Sequence, residues 1–588
     1  MMTIMFSPIK LVSIAGLALL LTLSVPTGSS PKVQAETLQV EIAEAEIAQS
    51  ETVQIEATSD SVTPMQAPLF DNLGSYTFPI STTSDLAQRY FDQGMILAYG
   101  FNHAEAFRSL SAAAELDPTC AMCHWGMAYV LGPNINAAMD AGAVPTAYEE
   151  MQTAIALSDS ATERERAYIQ ALAQRYSAEP VSDRTELDLA YANAMGAVAR
   201  QYPDDADAAS FYAEALMDTM PWDYWNEDGS PKPETTTILN TLESVIERRP
   251  DHPMALHLYI HAVEKERPEL GIAAADRLRD LVPGAGHLVH MPGHIYIRVG
   301  RYHDAVVANL KAIAADESYV TQCHAQGLYP VGYMPHNHHF LWFAAMMAGQ
   351  KDIAMEAAHH TAMVDPDLMR EEGYGTLQHY FSIPLYTLIK FEAWDEILAQ
   401  PAPDDDLAYP AAVWHFARGM AFANQGQTAD AGAELEALEA IANSSALDGI
   451  TIWDINTTHN LMDIASAVLN GEIAAQSGDL DGAIAQLQRG VELEDRLNYD
   501  EPASWYSPVR QRLGAVLLAA NRPAEAETVF RADLAIYPDN GWSLYGLAQS
   551  LKNQHMPEAA TVQSQFDVVW QYADYDLAPT YSMATQQR

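Results

Sequence analysis

The stretch GMILAYGFNHAEAFRSLSAAAELDP, residues 94–118, decides the fold. Within it Gly94, Ala106, Leu110, Ala113 and Pro118 stand 12, 4, 3 and 5 residues apart. The same offsets return at Gly514, Ala526, Phe530 and Pro538, and in shorter form at Gly419, Ala431, Leu435 and at Gly471, Ala483, Leu487. Small residues at these points let two antiparallel helices approach closely, and the proline ends the second helix. A single hairpin of this kind cannot bury its apolar face alone, so the units stack. Period-2 strand patterns are scarce.

This spacing resembles the tetratricopeptide repeat, and the resemblance covers most of residues 86–570, with irregular copies and an insertion at Pro133 to Pro145. It implies an all-α fold: a tetratricopeptide-like helical-hairpin solenoid, wound as a right-handed superhelix around a concave groove. Pro401-Ala402-Pro403-Asp404-Asp405-Asp406 is the best internal boundary. It separates a histidine-rich solenoid at 69–400 from C-terminal repeats at 401–588.

The N-terminus reads differently. Lys10 precedes an apolar run from Leu11 to Val25, and Val33-Gln34-Ala35 places small residues where a signal peptidase cuts. That run is too short to span a bilayer and is followed by a cleavage site, so residues 1–35 read as a removable signal peptide. Residues 36–68 are acidic and rich in Glu, Ser and Thr, the composition of a flexible linker. The expected location is periplasmic or extracellular, with no membrane span once the signal is gone.

The formal charge of -47 repels phosphate backbones, which argues against nucleic-acid partners, and it concentrates cations. Cys120, Cys123 and Cys323 are the whole cysteine complement, too few for a disulfide-stapled scaffold.

Chemistry concentrates in the middle repeats. Counting back 18, 15 and 11 residues from Ala305, Ala354 and Ile397 reaches the groove side of three successive first helices. Those positions hold His287, His290 and His294, then His336, His339 and Phe343, then His379, Ser382 and Tyr386. Six of nine are histidine in a chain where 19 of 588 residues are, far above random placement. One histidine on such a face is ordinarily a polar groove residue. Several buried together without partners would cost on the order of 1–3 kcal/mol each, a cost a shared metal ion removes. One unit upstream, His257, His261 and Glu264 stand at i, i+4 and i+7, on one helical face. Two imidazoles and a carboxylate suit zinc or iron, and Met291 and Met334 beside the cluster would favour copper. The candidate ligands are therefore His257, His261, Glu264, His287, His290, His294, His336 and His339. Pro292-Gly293 interrupts the helix carrying His290 and His294, or starts a new one there.

Cys120-Ala-Met-Cys123-His124 fits the attachment pattern of c-type haem. It runs directly into Trp125-Gly126-Met127-Ala128, which reads as packed helix, so a packed, disulfide-bonded cysteine pair is the first reading and covalent haem the alternative.

Longer strings carry a more specific resemblance. Asn102-His103-Ala-Glu105, Gly132-Pro133-Asn134-Ile-Asn136, Pro221-Trp222-Asp223-Tyr-Trp225, Gly286-His287-Leu-Val-His290-Met-Pro-Gly-His294, His336-Asn337-His338-His339-Phe340 and Asp500-Glu501-Pro502 resemble a family of large exported bacterial tetratricopeptide proteins without a settled activity. The resemblance implies the fold and names no reaction. Three functions follow from the residues: a metal-binding protein able to serve as a metalloenzyme, an interaction scaffold binding proteins or peptides in its groove, and a c-type haem protein. Trp222, Trp225, Trp342 and Trp542 are the candidate peptide anchors of the second.

Overall fold

The computed structural model describes residues 67–323, 329–371 and 373–577, so the expected signal peptide and nearly all of the expected linker lie outside the described residues. The described chain is an all-α solenoid of helical hairpins. In order these are α1 (Asp85–Tyr99) with α2 (His103–Leu116), α3 (Ala121–Val130) with α4 (Val144–Leu157), α5 (Glu163–Leu172) with α6 (Thr185–Gln201), and α7 (Ala206–Asp218) with α8 (Pro233–Arg248). Next come α9 (Pro253–Val263) with α10 (Pro268–Leu278), then the broken pair α11 (Gly286–His290) and α12 (Pro292–Arg298) with α13 (Tyr302–Cys323). A π-helical turn, Tyr329–Tyr333, leads to α14 (Met334–Met347) with α15 (Lys351–Thr361), and α16 (Gly375–Lys390) pairs with α17 (Trp394–Ala399). The remaining pairs are α18 (Ala408–Asn424) with α19 (Thr428–Ala442), α20 (Thr458–Gln476) with α21 (Leu480–Glu494), α22 (Val509–Ala519) with α23 (Pro523–Ile536), and α24 (Gly541–Asn553) with α25 (Ala559–Val569). A two-residue antiparallel ladder, Thr451–Ile452 with Asn456–Thr457, precedes α20.

The repeated glycines do what their spacing requires. A Cβ on Gly94 would come within 2.6 Å of the Leu110 side chain, and one on Gly126 within 2.8 Å of the same residue. Leu110 of α2 is thus clasped between glycines of its own and the next hairpin. Phe530 of α23 is clasped in the same way by Gly514 and Gly546. Pro401 to Asp406 is a connecting loop between α17 and α18.

Two features are not those of a plain open solenoid. The segment from Ala67 to Ser84 has no helix or strand and is tied to the helices of the first hairpins. The Tyr90 hydroxyl donates to the Ala67 carbonyl at 2.8 Å, the Phe70 amide donates to Gln93, and the Ser81 hydroxyl reaches Glu165 at 2.5 Å. Ala67 and Pro68, the last residues of the expected linker, are thus packed against α1. The last hairpins also return to the middle. Trp542 donates its indole N–H to the Met346 carbonyl at 3.0 Å, and Lys390 donates to Gln511 at 2.6 Å. No helix among the described residues is long and apolar enough to cross a membrane.

Candidate metal centre

α9 is buried on every side, as a helix apolar all round should be. Pro253 opens it at a position where no backbone N–H is needed, and the His252 ring accepts the Ala255 amide as a cap. His257 and His261 project from successive turns, and Glu264 follows at the C-cap. α11 and α12 form a helix broken at Met291-Pro292, which brings His287, His290 and His294 onto the same interior. His336 enters from the first turn of α14.

Six imidazoles form one continuous cluster. Ring centroids are 4.8 Å apart for His257 and His261, 5.0 Å for His257 and His287, 4.8 Å for His290 and His294, and 5.0 Å for His290 and His336. Possible ligand atoms lie within 4.8 Å of one another in each of three groups: His257, His261, His287; His290, His294, His336; and His261, Glu264, His294.

The hydrogen bonds fix the tautomers. Asn309 donates its amide N–H to the Ala305 carbonyl at 2.8 Å, so its Oδ1 accepts the His290 Nδ1–H at 2.7 Å. His294 turns Nδ1 to Glu501 at 2.8 Å and to Glu264 at 2.9 Å. The two Nε2 atoms then face each other at 2.9 Å. His257 donates Nδ1–H to the Tyr99 carbonyl at 2.6 Å, which leaves its Nε2 as a lone pair without a protein partner. His261 places Nδ1 3.3 Å from Glu264, and its Nε2 also lacks a partner. Neither ring nitrogen of His287 has one.

Burial, reinforced by the neighbouring imidazoles, pushes His257, His261, His287, His290 and His336 well below the ordinary imidazole value, so these rings are neutral. His294 differs. Burial opposes its charge, but Glu264 and Glu501 outweigh that and raise it to about 9. Aromatic rings wall the cluster: Phe101 lies 4.7 Å from His257, Tyr333 4.9 Å from His287, and Phe340 4.3 Å from His294. Trp222, 42% exposed, covers His261 at 5.1 Å.

Several expectations change. The ligands were expected to line an open groove, yet five of the six histidines are buried and His336 is half-buried. The return of the 499–501 segment and the Phe101 and Trp222 loops close over them. His339 falls outside the cluster. It stacks on Trp342 at 5.2 Å and faces His379 at 5.8 Å, while His379 bonds the Tyr409 hydroxyl at 2.9 Å. Three residues on from His336, about 60° around α14, His339 faces His379 and Tyr380 of α16 instead of α11 and α12. Cys120 and Cys123 are joined in a disulfide, and His124 pairs with Glu150 at 2.6 Å, so both sulfurs a haem would need are already bonded. Trp225, Trp342 and Trp542 are buried and donate their N–H groups to Ala262, Thr387 and Met346; Trp222 alone among the four is exposed.

Residue reasoning missed Asn309 and the Tyr99 carbonyl, and it attached no chemistry to Glu501. Glu501 lies 207 residues from His294, beyond any local spacing. The Asp500-Glu501-Pro502 string was the one signal that pointed to it.

Fold and site together define a helical-hairpin solenoid of tetratricopeptide type closed around a buried histidine centre. Neither a protein-family model nor a curated protein matches the sequence. Among solved structures the chain is similar to Cut9 in the APC/C hetero-tetramer Cut9-Hcn1, at 14% identity over 79% of this chain and 76% of that one, with a TM-score of 0.29. It is also similar to the human IFIT1 dimer with m7Gppp-AAAA, at 12% identity over 83% of this chain and 91% of that one, with a TM-score of 0.28. The P58(IPK) TPR domain gives 12% identity over 80% and 98% with a TM-score of 0.22. At these scores the superpositions carry no argument, and the fold rests on the chain's own hairpins.

Proposed function

We propose that this protein binds a transition metal through His290, His294 and His336, three ligands that leave a coordination position of the ion open. The observation that carries the reading is the 2.9 Å approach of His290 Nε2 to His294 Nε2. Each ring's other nitrogen is anchored, to Asn309 and to Glu501 with Glu264. His294, whose imidazolium form Glu264 and Glu501 favour, donates Nε2–H to His290 Nε2 across this gap, and a metal ion that displaces this proton takes both lone pairs. A carboxylate behind a metal-bound histidine is the usual device for fixing its tautomer and strengthening it as a donor. Three imidazoles and an open position suit zinc, copper or iron, and such an ion activates water or dioxygen. The strongly acidic surface favours cation capture at long range.

Replacing His290 and His294 together by alanine should abolish stoichiometric metal in protein purified without chelators, with helical content nearly unchanged. A double variant that keeps its full metal load would contradict the reading.

A second reading, an interaction scaffold, is supported by the helical-hairpin architecture itself, whose commonest use is partner binding. A cavity of about 1080 Å³ lined by Tyr76, Arg164, Asp207, Arg248 and His252 offers the mixed polar surface a protein or peptide partner would need. Protein that is metal-free as isolated and gains no stability from added metal would favour this reading. We also propose export with removal of residues 1–35, on the apolar run Leu11 to Val25 and the small residues at 33–35; a mature N-terminus near Glu36 by mass spectrometry is the expected result, and exported protein retaining residues 1–35 would exclude that cleavage.

A further inference from the structure

We infer that a second metal ion binds beside the first, held by His257, His261 and His287, with Glu264 serving both ions. This deepens the metal-binding reading, and its test separates the two.

Three imidazoles converge where no protein group answers them. His257 Nε2, His261 Nε2 and both nitrogens of His287 are buried without hydrogen-bond partners. The three residues can each place a ligand atom within 4.8 Å of the others. Neutral imidazoles are poor partners for one another, because a lone pair needs a donor and each ring here has at most one N–H, directed elsewhere for His257. Left empty of any cation, such a cluster would carry about 1–3 kcal/mol of desolvation for each orphaned nitrogen. A first-row divalent ion that favours nitrogen ligands accepts all three lone pairs at once.

The two histidine triads are joined through one carboxylate. Glu264 Oε1 lies 3.3 Å from His261 Nδ1, in the His257–His261–His287 triad, and Oε2 lies 2.9 Å from His294 Nδ1, in the His290–His294–His336 triad. Opposed rings of the two triads stand close, 5.4 Å between His261 and His294 and 5.7 Å between His287 and His290. Glu264 therefore orients one ligand of each ion, and its charge, with that of Glu501, offsets part of the charge of two divalent cations. The uncompensated remainder calls for hydroxide or another small anion to complete the coordination.

The test uses full-length mature protein stripped with chelator and reloaded with Zn²⁺ alone, then desalted and assayed by elemental mass spectrometry, with Co²⁺ absorption as a second probe. Two equivalents are expected in the wild type. His257→Asn with His287→Gln should retain one equivalent, and His290→Ala with His294→Ala should retain the other. Glu264→Gln should weaken both ions by roughly 10–100-fold, since outer partners of ligating histidines carry effects of that size. One equivalent in the wild type, lost with His290 and His294 and indifferent to His257 and His287, would overturn the second site and leave the first standing. One equivalent lost in either pair would also overturn it, in favour of a single ion spanning His261, Glu264 and His294. No metal at all would overturn both readings. Circular dichroism accompanies each variant; should the double variants misfold, Co²⁺ d–d absorption of His287→Gln alone decides, with half the wild-type intensity expected and full intensity contradicting the site.

Discussion

Single residues carry consequences at a distance from the metal centre too. Glu214 of α7 is buried and accepts the Tyr129 hydroxyl at 2.6 and 2.7 Å. Burial, then the nearby Asp218, raises its carboxyl from 4.5 to about 8. The folded chain thus holds a proton there that the unfolded chain releases above 4.5, so this group's contribution to stability falls as pH rises towards 8. Glu214→Gln keeps an acceptor for Tyr129 and removes the ionisation. Thermal melts should show the variant gaining several degrees on the wild type at pH 8.5 and little at pH 5. Parallel melting temperatures across that range would show that Glu214 does not bear this charge. None of this was legible in the sequence, where Glu214 is one acid among 78 Asp and Glu residues. His257, His261, Glu264, His287, His290, His294 and His336 were legible, because helical spacing alone puts them on shared faces. The place of His339 was not legible, since it shares a helical face with His336 and only the packing of α16 against α14 turns it towards His379.

At the scale of elements, the break between α11 and α12 positions the ligands. Pro292 cannot donate to the preceding turn, and Gly293 lies where a Cβ would come within 2.9 Å of the Asn309 side-chain nitrogen. Asn309 holds the His290 tautomer, so Gly293→Ala should push it out of place. Metal affinity measured by chelator competition should fall roughly 10–100-fold with the far-ultraviolet spectrum unchanged. Unaltered affinity would mean that Asn309 moves freely and does not orient His290. The hairpins themselves were readable from Gly94, Ala106 and Leu110, because close helix approach demands small residues at fixed offsets. The extended segment after Ala67 was not, since its hydrogen bonds go to helices that become neighbours only in the fold.

The described hairpins are not a one-dimensional stack, since Trp542 and Gln511 bond back to Met346 and Lys390. A solenoid whose hairpins touch only their neighbours unfolds in parts, whereas here the C-terminal hairpins seal the middle ones. Gly300, at φ +79, lies where a Cβ would come within 2.5 Å of the Pro538 carbonyl. Gly300→Ala combines an unfavourable backbone region with that clash, at a cost of about 1–3 kcal/mol. Its urea midpoint should drop, and metal retention should drop with it, because Glu501 arrives from the same returning part. A lowered midpoint with full metal retention would show that closure and the centre are independent.

The most direct measurement is X-ray absorption at the metal edge of full-length protein purified without chelators. A first shell of nitrogen at about 2.0–2.1 Å, with the outer scattering of at least three imidazoles per ion, is the predicted result. Protein carrying no transition metal, or a first shell of oxygen without imidazole scattering, would contradict a histidine metal centre.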